Sequence, residues 1–367
     1  MITENNKLEN FKIPYPLERI APLDKILFLD IETTGFTAKN SYLYLIGAAY
    51  YTNGSWYIKQ WFADSYNDEK WLLISFFSFA ANYTHLIHFN GNNFDLPYLL
   101  QKAAQYDTEF NFDSFEGIDL YRRISPYKFF LNIPNCKQKT MEKFLGIERK
   151  DRFDGGELIT VYHNYVKQST KYNNNELLLH NYEDMKGMLQ LTSMLAYYDL
   201  FNEKPRAKKV QANSYKDYHG NNQHVLLMNL ELPTVLPRQL STFLNGCSFI
   251  GEGGEGRLKV TIYDEEMKYF YSNYKDYYYL PLEDTAIHKS VASFVDKGPR
   301  PQATAATCYT RKISSYLPEW DIFIEPFFKR DYNSKELFFE LTDEIKKDRA
   351  LFSEYAAYVL NKMANTY

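Results

Sequence analysis

The stretch Ile26-Leu-Phe-Leu-Asp-Ile-Glu-Thr-Thr-Gly35 decides the reading of the first half of the chain. Four apolar residues of strand-forming type run straight into Asp30, and Glu32 follows two positions later. Alternate residues of a strand project to the same face, so the two carboxylates point the same way at the strand's end. Two anions held side by side repel each other unless a cation sits between them. The plain alternative is a strand that simply ends in polar residues. The metal reading is favoured, because charges seldom follow four core-type residues without a partner. Thr33, Thr34 and Gly35 then let the chain turn away.

Working outward, strand-like runs over 42–51 and 55–63 flank the turn Thr52-Asn53-Gly54, and Asn-Gly is a strong hairpin signal. The pattern then predicts a helix over 69–82, a strand over 85–89 and a helix over 95–105. A strand over 117–122, a helix around 140–145 and a final helix over about 175–200 follow. The order is a three-strand meander followed by alternating helices and strands, which predicts a mixed α/β sheet of about five strands with helices on both faces.

Two further acidic residues stand where such a sheet would place a site. His88-Phe-Asn-Gly-Asn-Asn-Phe-Asp-Leu-Pro97 ends a strand, turns at Gly91 and starts a helix at Asp95. As a bare motif this is an ordinary N-cap aspartate. Leu177 to Met188 reads LLLHNYEDMKGM, with His180 and Asp184 four apart and so on one helix face. Alone, that spacing is a common surface pair.

Together the three segments resemble the DEDD superfamily of 3′–5′ exonucleases, whose first motif is DxE, whose second holds an Asp after a strand and turn, and whose third ends in an Asp on the last helix. The resemblance spans about residues 20–200. Within the superfamily, the chain looks most like the bacterial YprB-like proteins, through IDLYRRISP and TMEKFLGIERKDRFDGGELITVYHNY. It implies a ribonuclease H-like fold with a five-stranded mixed sheet, strand one central. It also implies two divalent cations, Mg²⁺ or Mn²⁺, about 3.5–4 Å apart, held by Asp30, Glu32, Asp95 and Asp184. The expected substrate is a DNA or RNA strand, single-stranded or engaged at its 3′ end. One departure stands out: the tyrosine subclass has Tyr four before the last Asp and the histidine subclass has His five before, whereas this chain has His180 four before. His180 is expected to position the attacking water, an imidazole being a better proton acceptor at neutral pH than a phenol. Thr33, Asn90 and Asn93 are expected to contact substrate, although the asparagines would serve a turn equally well. His88 is read as structural, and Asp119 as either structural or touching the site.

Composition sets outer bounds. The 367 residues are long for one core and comfortable for two domains. The net charge of −4 speaks against a dedicated non-specific nucleic-acid binder but not against a nuclease, whose cations offset its carboxylates. The 33 Tyr and 27 Phe suit either a compositional bias or stacking faces for bases. Cys136, Cys247 and Cys308 lack metal-site spacing, and no signal or membrane-spanning segment is evident, so a cytoplasmic protein is expected. A Pro-containing basic stretch, Lys204 to Lys209, reads as a linker, dividing a ribonuclease H-like domain over 1–203 from an α+β accessory domain over 204–367. In the latter, helices are expected over 283–295 and 335–365. Tyr269, Tyr271, Tyr274, Tyr277, Tyr278 and Tyr279, interleaved with Lys268 and Lys275, suit a stacking face or, more readily, a small β-domain's core and rim. A structure-selective endonuclease and a catalytically idle scaffold are the competing functions.

Overall fold

The computed structural model describes every residue except 169, 217, 295–298 and 366–367. The chain forms two compact units, 1–199 with 234–238, and 200–233 with 239–367.

In the first unit the elements run β1 (Ile2–Lys7), β2 (Ile26–Thr33), β3 (Leu43–Thr52), β4 (Ser55–Phe62), α1 (Glu69–Ala80), β5 (His85–His88), α2 (Asp95–Gln105), β6 (Glu116–Asp119), α3 (Leu120–Ile124), α4 (Gln138–Leu145), α5 (Gly155–Lys167), α6 (Lys171–Leu191) and α7 (Leu195–Asn202). The sheet order is β1-β4-β3-β2-β5-β6, with β2 antiparallel to β3 and parallel to β5. The sheet is therefore mixed, as expected, but has six strands instead of five. The additional strand, Ile-Thr-Glu-Asn-Asn-Lys, pairs antiparallel with β4 at the sheet edge, and all of it but Ile2 is exposed. An edge strand with no face to bury carries no apolar alternation, which is why its pattern does not announce it.

The hairpin forms where Asn53-Gly54 stands, and both residues take the positive φ that a type I′ turn requires, 49° and 74°. Helix α1 buries Leu72, Leu73, Phe76, Phe77 and Ala80, a run at helical spacing, in the same core as the sheet residues Leu45, Trp61 and Phe62. Helix α6, capped by the Thr170 hydroxyl on Asn173 N–H, packs across β2, β3 and β4. Gly47 on β3 makes room for this crossing, since a methyl there would collide with the buried Asn181 of α6. Many tyrosines go to the core: Tyr44, Tyr162 and Tyr197 are fully buried, and the Tyr44 and Tyr162 rings stack at 4.4 Å.

The second unit is rich in sheet. It holds β7 (Arg206–Lys216), β8 (Asn222–Leu244), β9 (Cys247–Thr261), β10 (Tyr263–Phe270), β11 (Tyr277–Leu280), β12 (Thr285–His288), β13 (Tyr309–Glu319), β14 (Phe327–Phe328), β15 (Leu337–Glu340) and α8 (Arg349–Asn365). These make sheets ordered β7-β8-β9, β10-β13-β15-β14 and β11-β12. Three expectations are corrected. The basic stretch expected as a linker runs into β7, which pairs with β8 from Arg206 onward. The helix expected over 283–295 is strand β12 followed by a 3₁₀ segment at Lys289–Phe294, with Val295 outside the described residues. The helix expected from Lys335 begins only at Arg349, because Leu337–Glu340 pairs with β13 and β14 around a core of Met267, Tyr316, Phe328 and Phe338.

Candidate active site

The site grows from the end of β2. Asp30 and Glu32 sit on one face of the strand, on either side of the buried Ile31. The parallel ladder between β2 and β5 ends at Leu29 and His88. Two residues further along β2, Ile31 N–H donates to Asp95 Oδ1 at 3.1 Å. Asp95, the first residue of α2, thus stands against the end of β2 and is only 7% exposed. As an N-cap it plays no part; Phe94 occupies that position, and it makes no side-chain cap.

The last helix supplies three groups. Asn181 Nδ2 donates to Asp30 Oδ2 at 2.8 Å. His180 and Asp184, one turn apart on α6, bring Nε2 and Oδ2 to 3.2 Å, and the same Nε2 lies 3.7 Å from Glu32 Oε1. Tyr44 donates to Glu32 Oε2 at 3.5 Å. One donor atom each from Glu32, His180 and Asp184 falls within 4.8 Å of the others, the spacing of a metal-binding group.

These groups strain one another electrostatically. Burial and the negative charges of Asp184, Asp95 and Glu32 hold the Asp30 carboxyl well above the usual carboxylate range, against the opposing hydrogen bond from Asn181. Burial and the charges of Asp184 and Asp95 do the same to Glu32, opposed by Tyr44 and Arg149. Asp95 is pushed up to about 7, mainly by burial. Carboxylates brought together from three distant segments and left short of compensating charge form a set that a divalent cation would relieve, and the oxygen-rich donors suit Mg²⁺ or Mn²⁺. Asp30, Glu32, Asp95 and Asp184, all expected from sequence, converge here with His180.

A second layer was not expected. Arg149, 10% exposed and lying between α4 and α5, reaches Asp184 Oδ1 at 2.7 Å, Glu142 Oε2 at 3.1 Å and Asp151 Oδ1 at 2.7 Å. Asp151 in turn accepts from His180 Nδ1 at 2.7 Å and from Lys139 Nζ at 3.1 Å. The hydrogen bonds from Arg149 and Lys139 outweigh burial and hold Asp151 well below the usual carboxylate range, while its neighbours raise Arg149. An ionised Asp151 only accepts, so Nδ1 of His180 carries the proton. Gly187 leaves space for the Glu142 carboxylate against α6, where a methyl would collide with it. The legible signals near this layer are the capping box Asp154-Gly-Gly-Glu157 that starts α5 and the family-like stretch over 140–165, which contains Arg149 and Asp151 but marks neither as a site residue.

Asp30 and Asp95 open onto a cleft of about 690 Å³, lined also by Phe36, Phe89, Asn90, Asn93, Tyr121 and Gln138. Asn90 and Asn93, expected to contact substrate, do line it. They also bond each other, Asn93 Nδ2 to Asn90 Oδ1 at 2.7 Å, while Asn90 N–H donates to Asp119 Oδ1 at 2.9 Å. Asn90 has a φ of 60°, so the turn relies on its tolerance of left-handed backbone. Thr33 turns its hydroxyl to Gly35 O at 2.9 Å. His88 is fully buried beside Asp119, and its Nδ1 accepts from Gly91 N–H at 3.1 Å.

Residues 27–196 match the family model of the RNase_H superfamily. The first unit is a ribonuclease H-like domain. The chain is also similar in structure to a family B DNA polymerase from the hyperthermophilic archaeon Pyrobaculum calidifontis, with 12% identity and a TM-score of 0.38 over 71% of this chain and 37% of that one. Exonuclease I of E. coli in complex with a dT13 oligonucleotide is similar at 12% identity and a TM-score of 0.29, over 61% of this chain and 54% of that one. The chain therefore spans about a third to about half of the length of these structures. No curated protein matches its sequence. No helix among the described residues is long and apolar enough to cross a membrane.

Proposed function

We propose that the ribonuclease H-like domain is a two-metal-dependent nuclease that hydrolyses phosphodiester bonds of DNA or RNA as a 3′–5′ exonuclease, acting on single-stranded 3′ ends. One observation carries this reading: Asp30, Glu32, Asp95 and Asp184 meet at the C-terminal end of β2, where the charges of Asp95 and Asp184 add to burial in raising the proton affinity of Asp30 and Glu32. A scaffold has no need to crowd four anions in this way.

Mg²⁺ or Mn²⁺ held by these four carboxylates supplies Lewis-acid activation of the phosphate and of the attacking water. The protein's own groups do the positioning. Ile31 N–H fixes Asp95, and Asn181 fixes Asp30. Asn90 and Asn93 stand at the cleft to meet the terminal sugar or phosphate, and Phe89 and Tyr121 offer rings beside them; Thr33, next along β2 from Glu32, is not among the lining residues. In the sequence-based assignment His180 positions the water, and its Nε2 does face the carboxylates. The stretch on which the resemblance to YprB-like proteins rests also contains Arg149 and Asp151, the layer that orients this imidazole. Three unbridged cysteines accord with the cytoplasm.

Digestion of one oligonucleotide labelled at either end, with Mn²⁺ present, tests the polarity. A 5′ label should yield a descending ladder and a 3′ label an immediate mononucleotide. Internal fragments from both labels at early times would instead establish an endonuclease.

A further inference from the structure

We infer that His180 is itself a ligand of the divalent cation, through Nε2, completing a nitrogen–oxygen donor set with Glu32 and Asp184. This inference rests on the metal-dependent reading above and assigns His180 a task different from water positioning.

Helix geometry is the first support. Residues four apart on a helix lie about 40° apart around its axis, whereas residues five apart lie about 140° apart. His180 and Asp184 therefore present their tips to the same point, the spacing by which paired helical donors chelate one ion. The donor atoms already stand together, Nε2 at 3.2 Å from Asp184 Oδ2 and 3.7 Å from Glu32 Oε1. His180 is 5% exposed, so little solvent competes for that nitrogen.

The second support is the way each donor is held. Asp151 accepts the hydrogen bond from Nδ1–H, which in the neutral imidazole leaves the Nε2 lone pair for a metal. Histidines that bind metals characteristically donate their other N–H to a carboxylate or carbonyl, which fixes the ring and raises its basicity. Arg149 takes Oδ1 of Asp184 and leaves Oδ2 facing the imidazole. Two residues of one short segment, Arg149 and Asp151, thus aim an imidazole nitrogen and a carboxylate oxygen at one place. A plain imidazolium–carboxylate pair would account for the 3.2 Å contact. It would also leave only the imidazolium and Arg149, which Glu142 and Asp151 share, to offset Glu32, Asp184, Asp30 and Asp95, a deficit that a divalent ion offsets better.

Imidazole among the donors shifts a site from Mg²⁺ toward Mn²⁺ and later transition metals. The full chain loaded with substoichiometric Mn²⁺ should show nitrogen hyperfine modulation of the Mn²⁺ signal in pulsed electron paramagnetic resonance. His180→Gln should lose that modulation, weaken Mn²⁺ binding roughly 10-fold or more, and lower the preference for Mn²⁺ over Mg²⁺. Asp151→Asn should keep the nitrogen contact and weaken binding by roughly 10–100-fold, as loss of an outer partner does. Bound Mn²⁺ with no nitrogen modulation in the wild type overturns the assignment and returns His180 to water positioning; this result needs no variant to fold. Failure of Mn²⁺ to bind, with Asp30→Asn behaving as wild type, overturns the nuclease reading as well.

Discussion

Replacing Asp95 by asparagine removes one charge and almost nothing else. The amide oxygen still accepts from Ile31 N–H, which the carboxylate accepts at 3.1 Å. The Asp95 carboxyl is held at about 7 in the fold, against an ordinary value of 3.8. The folded protein therefore binds this proton more tightly than the unfolded chain, and without metal its stability falls as the pH rises from about 4 to about 7. A rise of that size corresponds to about 4 kcal/mol at full ionisation, and relaxation of the metal-free site brings the expected effect to the order of 2–4 kcal/mol. In chelator at pH 8, Asp95→Asn should be the more stable protein by that amount in urea unfolding. The gap should narrow as the pH falls toward 4, where the folded wild-type carboxyl is protonated. Excess Mn²⁺ should reverse the order, because a cation binding only the folded state stabilises the wild type more than a variant with one ligand fewer. The reasoning is refuted if Asp95→Asn is the less stable protein in chelator at pH 8, since the carboxylate would then be a paired structural group.

Three further substitutions probe the surroundings of the site. Arg149→Ala strips the cation from Glu142, Asp151 and Asp184 and should cost about 3–5 kcal/mol without metal, with part of the loss restored by Mg²⁺ in thermal unfolding. Gly47→Ala drives a methyl into Asn181 and should destabilise by about 1–3 kcal/mol; loss of the Asn181–Asp30 hydrogen bond should also weaken Mn²⁺ binding in calorimetry. Lys102→Met leaves Glu69 without the ammonium 2.8 Å away, in a pair of which each member is under 5% exposed. That should cost about 3–5 kcal/mol in urea unfolding with little change in nuclease rate, because the pair lies away from the carboxylates.

How much of this was legible depended on whether a residue's task was local. The β2 strand announces itself because four apolar residues precede two same-face carboxylates, and α2 begins at Asp95, where the turn at Gly91 and the helix-starting Pro97 place it. The hairpin is legible from Asn53-Gly54 alone, since two positive φ values leave few other residues suitable. The β1 edge strand is not, because it buries no face. In the second unit, β12 and β15 are short strands held by pairing, β12 with β11 5 to 11 residues away and β15 with β13 18 to 24 residues away, and local preference for helix gave way to it. The same limit applies at the site. Asp30, Glu32, Asp95 and Asp184 each sit in a recognisable setting. Arg149, Asp151 and Asn181 reach the site through partners from 29 to 151 residues away, and no spacing within the chain reveals such contacts.

The central claim is that the carboxylates around Asp30 hold the ions that cleave a phosphodiester bond. The most direct measurement is the cleavage rate of paired single-stranded DNA and RNA of one sequence, in Mn²⁺, by the wild type and by Asp30→Asn. The wild type should degrade at least one of the two from the 3′ end, and chelator should stop it. Asp30→Asn should fall by about 10³-fold or more, the rate equivalent of several kcal/mol of lost metal assistance, while keeping a cooperative unfolding transition. Metal-dependent cleavage by Asp30→Asn at the wild-type rate would contradict the account.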